Sequence, residues 1–598
     1  MKDKTPIALI VALCALSFSG VAQAQQNADD QKLNKEIYLE KDFVPVEKKA
    51  TKKNELPKVK KSATAPAPTT LKYSDYASPT DVPTSIPTLM PYGYRTAHIF
   101  SDRRGYLTIG GGTQANFTGS FGYRILDEEP TKLGVWLQHN STWLGKNSSK
   151  LPEQYEGVRN HQEYNDNTLG VDFSHRLKSG TISLGLLGHL DMYNYFGGWT
   201  KDWEDETQTY HDINLNAGWK SNLWVRDNSL NYRVGLDYTH SGWDNPLSDH
   251  YKHGINGHHL KFTLGGDYAF ASGSEVGGSF IADYVNRSAK SRDVNYYPNL
   301  SDEYGLLTFS PYYKFSNERL SLLLGANINV SFNAGAVFNI SPNVKLNLGI
   351  IDGVNLFATA TGGKTITTMR NKHVLNRYDN PLTLYGKRRY VPFDLDGGLA
   401  IGPFQGLSAK VSFGYGITRN ASNLAYFGDI MLYGLWRGMT TNFLRMHQRG
   451  YNIKAELNYR YRSLAEFHAD FMYAPHDHVL AWNDTYLIGY DTGYDRAQTI
   501  GNFSLKVFPI RALTLEAGLH FRGGRYWLMV DNSNAEAYSY SFVKADNVID
   551  LRLAGNYRLT RSIGLWAELS NLLNRRYDMV YGIGAQRLAA IGGITILF

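Results

Sequence analysis

The segment Asn547–Phe598 reads NVIDLRLAGNYRLTRSIGLWAELSNLLNRRYDMVYGIGAQRLAAIGGITILF. Ile549, Leu551, Leu553 and Tyr557 fall on one face of an extended strand, and Asp550, Arg552, Asn556 and Arg558 on the other. Beyond a short turn, Ile563, Leu565, Ala567 and Leu569 repeat the pattern, with Glu568 and Ser570 behind them. Ile594 and Ile596 lead to Phe598 in the same register. Alternation with period two is the signature of a β-strand with one apolar and one polar face. The polar face here is charged, which suits water and not a protein core. Hairpins that back an apolar face with a charged one describe a transmembrane β-barrel.

The same pattern recurs upstream. Leu230, Tyr232, Val234, Leu236 and Tyr238 alternate with Asn231, Arg233, Asp237 and Thr239. Ile453 to Arg462, Ala465 to Tyr473 and Leu513 to Arg522 behave alike. A soluble sandwich would need a second sheet to cover so many apolar faces, whereas a barrel in lipid needs none. Mean hydropathy of −0.36 is too polar for a helical membrane protein. Aromatic content is 13%, with 41 tyrosines, in keeping with girdles at lipid–water boundaries; tyrosine is also simply a good strand residue. The fold class is therefore all-β, a large antiparallel transmembrane barrel.

The front of the chain reads differently. Lys2 and Lys4, the apolar run Ile7 to Ser17, and Ala22-Gln23-Ala24 form the three regions of a signal peptide, residues 1–24. The one cysteine, Cys14, lies inside that run behind the bulky Leu13, so it reads as filler and not as a lipid anchor. The mature chain then lacks thiols, which excludes disulfides and Cys-ligated zinc. Residues 25–104 are rich in Lys, Pro, Thr, Ser and Ala and cannot bury enough apolar area to offset their ordering entropy. They read as a disordered periplasmic segment, with Lys48 to Lys61 either a contact for an acidic partner or a solvated linker. Ile37 to Val44 is a candidate short strand for a partner's sheet edge. The barrel is expected over 105–598. The net charge of +7 is modest and concentrated in the linker, so no nucleic-acid partner is implied.

Connections between strands alternate short with long, which assigns short turns to the periplasm and long loops to the outside. Long ones fall near 146–165, 194–208, 243–256, 289–302, 367–391, 419–450, 475–495 and 528–544. Both termini are then periplasmic, the strand number is even, and the tally is about 22. In Ala334 to Lys364, Pro342 and the Asp352-Gly353 turn permit one kinked strand or two short ones; the alternation favours one.

Asn571-Leu572-Leu573-Asn574-Arg575-Arg576-Tyr577, followed by a final strand ending in Phe598, resembles the end of TonB-dependent outer-membrane receptors. Their last hairpin carries an asparagine–leucine–asparagine–tyrosine motif, matched here by Asn571, Leu572, Asn574 and Tyr577. The resemblance covers the barrel. Family members place a plug of roughly 130 residues before it, and the short Lys/Pro-rich front here resembles a plug-less relative. The resemblance implies binding or passage of a solute at the outer membrane of a Gram-negative cell; the alternative is a non-transporting barrel in an envelope assembly. The expected partners are outer-membrane lipid, the barrel-insertion machinery and a surface lipoprotein or periplasmic protein. Ile594, Ile596 and Phe598 form the expected C-terminal assembly signal.

Individual polar clusters imply no cofactor. His476-Asp477-His478 lacks an evident third and fourth metal ligand, and His258 and His259 point to opposite faces. His139-Asn140-Ser141 offers a nucleophile and a base, but adjacent strand residues point apart and cannot form one triad; no enzyme is expected. Inward charges such as Asp550, Arg552, Glu516, Arg460 and Glu456 line the lumen. A barrel of about 22 strands spaced ~4.8 Å and tilted ~40° is roughly 40–45 Å wide, so something must block it. Candidates are 367–391, 419–450, the 25–104 segment or a partner protein. The 419–450 stretch leads, because Phe427, Trp436 and Phe443 belong to an apolar set too large to leave in water; the alternative is an extra strand pair.

Overall fold

A computed structural model describes residues 103–128, 130–146, 161–194, 207–221, 229–244, 251–270, 273–292, 294, 299–378, 389–427, 440–480, 486–487, 497–531, 539–581 and 583–598. The expected signal peptide and all but the last two residues of the 25–104 segment lie outside them.

The alternating segments form the wall. Its first half comprises β1 Gly105–Gly112, β2 Phe117–Glu128, β3 Thr131–Lys146, β4 His161–Arg176, β5 Gly180–Asn194, β6 Thr207–Ser221, β7 Ser229–Asp244, β8 Tyr251–Ala269, β9 Ser274–Ser291, β10 Leu300–Ser316 and β11 Leu320–Phe332. The second comprises β12 Phe338–Ile351, β13 Val354–Lys364, β14 Tyr390–Phe404, β15 Leu407–Phe427, β16 Thr440–Tyr461, β17 Ala465–Tyr473, β18 Thr499–Ile510, β19 Leu513–Gly523, β20 Val548–Arg558, β21 Ile563–Ser570 and β22 Ala589–Leu597. Each pairs antiparallel with its neighbours, and β22 returns to β1 in the register Tyr106↔Leu597 to Gly112↔Ile591. The result is a closed barrel of 22 strands. Closure leaves no wall edge whose backbone groups would go unsatisfied in lipid.

The register stacks like with like. Ala217, Leu236 and Phe262 lie side by side across β6, β7 and β8, and Leu215, Tyr238 and Leu260 form the next outward row. Leu236 is 46% exposed, as are many of its outward neighbours to a similar degree. A continuous apolar belt of this kind has no place in water. Exposed Tyr232, Tyr268, Tyr313, Tyr459 and Tyr557 ring the belt where strands meet short turns, and Phe117, Trp143, Phe332 and Phe338 ring it at the opposite end. These are two aromatic girdles.

The two ends of the barrel differ. Both chain ends of the barrel lie at the turn end, where Gly105 N donates to Phe598 O (2.8 Å) and Phe598 N to Gly105 O (3.0 Å). Turns there are tight, as at Gln405-Gly406, where both residues have positive φ (50° and 88°), the conformation of a two-residue hairpin matched to strand twist. Most connections at the loop end are longer; 113–116 and 333–337 are short there, and 222–228 is the longest at the turn end.

The second short loop-end connection corrects the reading of 334–364. The segment is two strands, β12 and β13, joined by Asp352-Gly353. Asn333 and Gly335 take positive φ (54° and 90°) and close a five-residue loop-end hairpin. Alternation of short and long connections is therefore broken there, and a count based on it merges the two strands. Pro342 is accommodated within β12, opposite Ala326 and just before pairing with β13 begins at Asn343.

The inward face is polar and paired. Arg552 Nε donates to Asp550 (2.9 Å), Lys506 lies 3.5 Å from Glu516, and Arg460 3.2 Å from Glu466. A hydrogen-bonded ladder crosses β16 to β19. Asn458 Nδ2 donates to Glu456 (2.8 Å), His468 bonds Asn458 (2.6 Å) and Asp470 (3.2 Å), and Asn502 Nδ2 donates to Asp470 (2.7 Å). Asn502 in turn bonds His520, which accepts from Arg522 Nε (2.9 Å).

Candidate functional site: a closed loop end

Among the described residues, parts of three long loop-end connections pack within the mouth. The connection from β13 to β14 carries a short helix, α1, Met369–Leu375, whose N-cap Thr368 accepts from Asn371 N at 3.1 Å. Capping satisfies a donor that the helix start leaves without an intrahelical partner. α1 lies against the inner wall of β4 to β10. Met369 packs with Tyr210, Trp243, Ile255 and Ala289. A Cβ on Gly257 would stand 2.6 Å from Met369 Sδ, so glycine lets the helix approach. Tyr304 Oη donates to Thr367 O.

Charge fixes the helix. Asp166 and Asp191 are opposite one another on β4 and β5, and Asp212 follows on β6. His373 Nε2 bonds Asp191 at 2.9 Å, Arg377 Nη1 donates to Asp191 at 3.1 Å, and Arg377 lies 3.6 Å from Asp166. His189 bridges Asp166 and Asp212 (3.3 Å each), and Arg370 lies 3.7 Å from Asp212. Tyr210 stacks on His373 with centroids 3.8 Å apart, Trp243 meets it edge-on at 5.2 Å, and Arg377 sits 5.0 Å over the Tyr164 ring. Tyr193 Oη donates to Arg377 O (2.6 Å). Carboxylates buried this deeply are tolerable only with such partners.

Burial holds the His373 imidazole below its ordinary range, and the Asp191 hydrogen bond pulls it the other way. The groups facing it are Asp191, His189, Tyr193, Tyr210, Trp243 and Arg377. A buried neutral imidazole contributes stability above its unfolded value of about 6.5, lost as pH falls below that value, because the released segment then binds the extra proton. The opening of residues 366–378, read as hydrogen exchange corrected for its intrinsic rate, is therefore expected to rise as pH falls below about 6.5; protection factors that stay constant would contradict this.

Two further connections join α1. Tyr378 packs with Tyr193 of β5, with Trp527 and Ala545 from 524–547, and with Val580 and Ile583 from 571–588. Strands β5 and β13 are eight apart in the ring, so these contacts bridge the mouth. A hairpin, Tyr526–Asp531 with Ser539–Lys544, adds in parallel to the edge of β15 (Tyr426↔Met529, Phe427↔Val530). Fully buried Arg525 ties the connections together, donating to Asp546 O (3.1 Å) and Asp578 O (2.8 Å).

The sequence-expected residues fall as follows. Residues 419–427 and 440–450 are not an inward loop but extensions of β15 and β16 that pair with each other. Phe427 and Phe443 lie in those strands, and Trp436 lies outside the described residues. The extension finds its packing partner in the hairpin: Ala425 and Met446 are buried with Leu528 and Val530. The inward-folded segment is 365–378, the described part of the second sequence candidate. Neither composition nor periodicity marks it, because its contacts lie nearly two hundred residues away.

The Asn571 motif is a structural turn. Asn571 and Asn574 take positive φ (46° and 52°), which asparagine tolerates. Asn571 Oδ1 accepts from Arg575 N (2.9 Å), and its amide donates to Arg575 O (2.9 Å) and Gln586 O (3.0 Å). Leu572 N donates to Leu551 O (2.9 Å), and Tyr577 is buried with Val548 and Ala585. Ile594 and Ile596 pair with Ile109 and Leu107, and the Phe598 ring stacks 6.1 Å from Tyr123. His476 Nδ1 bonds the Ala474 carbonyl (2.9 Å), and the side chains of Asp477 and His478 lie outside the described residues. Tyr238 bonds His258 (2.9 Å) on the outside, whereas His259 meets Asp283 (2.9 Å) inside.

In three dimensions the chain is similar to the ferric enterobactin receptor PfeA of Pseudomonas aeruginosa, solved as a mutant with enterobactin (TM-score 0.61, 12% identity, 84% of this chain and 82% of that one). It is also similar to the ferripyoverdine receptor of the P. aeruginosa outer membrane (0.57, 11%, 83% and 72%). The chain has the barrel fold of TonB-dependent receptors. The copper transporter OprC is a further structure similar to this receptor-type barrel (0.56, 13%, 83% and 80%). At these identities the likeness is one of fold. No family model matches the chain, and no curated protein matches it in sequence.

Proposed function

We propose that this barrel lies in the outer membrane of a Gram-negative cell, with its turn end in the periplasm, and binds or passes a solute through a mouth that its own loops close. The observation that carries the reading is the packing of three loop-end connections against one another and the wall, anchored by α1 on Asp166, Asp191 and Asp212. A paired polar lumen beneath a displaceable cover suits gated passage, and a permanently open pore of this diameter would defeat the membrane's barrier. The fold likeness to receptors and a transporter supports a solute role. Planar-bilayer conductance tests it. The full chain is expected to give rare, small steps, and a chain lacking 366–388 large and frequent ones. Conduction in neither would favour a non-transporting scaffold, with a partner protein blocking the lumen.

The last strand is proposed to carry the signal for insertion. Ile594 and Ile596 occupy the outward edge of the closing strand, and Phe598 covers Gly105, where a Cβ would meet its ring. Deleting Phe598 is expected to lower the amount of heat-modifiable, folded barrel in the outer membrane severalfold. Removing one residue from the 528–544 stretch should change it little. Normal levels of the truncated chain would remove the role.

A further inference from the structure

The outward face of β2 to β4 carries a polar set that transport does not use. His139 and Ser141 are two apart on β3 and therefore share a face, outward with the exposed Leu137. Ser141 Oγ and His139 Nε2 are 3.0 Å apart, and His139 Nδ1 is 2.8 Å from Asn167 Oδ1 on β4. A carboxamide oxygen only accepts, so Nδ1 carries the imidazole proton and Nε2 is left to accept from the serine hydroxyl. That is the tautomer and order of a nucleophile, base and orienting group. Asn140 points to the other face, as the alternation requires, and the third member comes from the neighbouring strand, directly opposite His139 in register.

We propose that Ser141, His139 and Asn167 form an acyl-hydrolase site for carboxylic esters of membrane lipid. The inference rests on the membrane placement above and not on transport. Depth selects the substrate. Turn-end to loop-end, the outward residues of β3 run Leu133, Val135, Leu137, then His139, Ser141 and Trp143; those of β4 run Phe173, Val171, Leu169, then Asn167 and Asn165. The set sits where the apolar belt ends and the aromatic girdle begins, the level at which lipid ester groups lie. On β2, Gly119 is opposite His139 between Phe117 and Phe121, and the Phe117 ring leans over it to within 5.4 Å of the His139 ring, so an acyl chain enters by displacing that ring. Ser141 is 2% exposed, which keeps bulk water from it; the substrate reaches it by displacing Phe117, opposite it in register and 43% exposed.

The reaction balances with water as the only co-reactant. Ser141 Oγ attacks the ester carbonyl carbon as His139 Nε2 takes its proton. The carbon–alkoxide bond breaks, and the imidazolium returns the proton to the departing alcohol. Water then attacks the acyl-serine, giving its proton to His139, and the fatty acid leaves as Ser141 is reprotonated. Asn165 is opposite Ser141, and its Oδ1 accepts from Asn167 Nδ2 (2.6 Å), which holds the Asn167 carboxamide with its oxygen toward His139. Asn167 is a positioning residue.

The test uses the full chain purified in detergent, with a fluorophosphonate probe and phosphatidylethanolamine vesicles. The wild type is expected to be labelled at Ser141 and to release fatty acid. S141A and H139A should abolish labelling and lower release by about 10²- to 10⁴-fold while keeping heat-modifiable mobility. N167A should lower kcat with little change in KM, and N167D should recover part of it. Failure of the wild type to be labelled, or labelling and release that persist in S141A, would overturn the proposal and leave the solute reading intact. Detergent labelling does not depend on membrane placement, so that premise fails separately, through the bilayer measurement.

Discussion

Leu236→Arg is expected to destabilise the folded barrel by about 2–4 kcal/mol, the cost of a cation at the bilayer midplane. Leu236 is the eighth of sixteen residues in β7, at mid-height, and its outward row continues through Ala217 and Phe262. Its lateral neighbours Ala217 and Phe262 are apolar, and the polar lumen face is behind the sheet. Leu515→Arg faces the same way but lies two residues from the turn end of β19. It should cost less, about 0–1 kcal/mol, because the charge can reach the interface. Thr514→Arg, facing the lumen, should be mild. Urea titration of barrels refolded in vesicles, followed by gel mobility, measures the gradient. Equal tolerance of Leu236→Arg and Thr514→Arg would mean that the assignment of faces is wrong.

Asp191→Ala should release the loop-end cover. The carboxylate is fully buried and receives both His373 and Arg377. Removing it leaves the Arg377 guanidinium beside an aromatic wall with Asp166 as its remaining acidic neighbour, at 3.6 Å. Breaking one partner of a buried pair costs about 3–5 kcal/mol, and here the cost falls on the docked segment. The wall keeps its full ladder of strand pairing. Residues 366–378 should therefore exchange faster, conductance steps should grow, and global unfolding should shift far less. A parallel Arg377→Ala variant should give the same opening, and the double variant little more than either. Strictly additive effects would mean that the two residues do not act as one latch.

The opening at low pH described for His373 would work on this same latch from the histidine side. Its expected size is smaller, because protonation leaves the Asp191–Arg377 pair in place.

The chain itself specifies the wall. Whether a strand residue faces lipid or lumen is a matter of parity, and parity is local: Ile549 and Asp550 declare their faces without reference to anything else in the protein. The final hairpin is largely set within itself, since Asn571 bonds Arg575 four positions away and Gln586 fifteen away in the same hairpin, and Phe598 ends the strand that closes the ring. Strand number was legible only where turn chemistry was ordinary. At Asn333–Val337 a short loop-end hairpin hid the break between β12 and β13.

What fills the mouth was not legible, and the reason is physical. The 419–450 stretch is apolar enough to suggest an inward plug, but hydrophobicity specifies burial and not the partner. The strands β15 and β16 extend and receive the 526–544 hairpin instead. The 365–389 connection looks unremarkable, yet His373 meets a carboxylate 182 positions away. Contacts between strands eight apart in a closed ring exist only once the ring has closed. The outward polar set follows the same logic: parity put His139 and Ser141 on one face, but Asn167 joins them only because the β3–β4 register brings position 167 opposite 139. Local periodicity determined the barrel and its two faces; ring closure and register, which are properties of the whole sheet, decided what covers its mouth and which side chains meet.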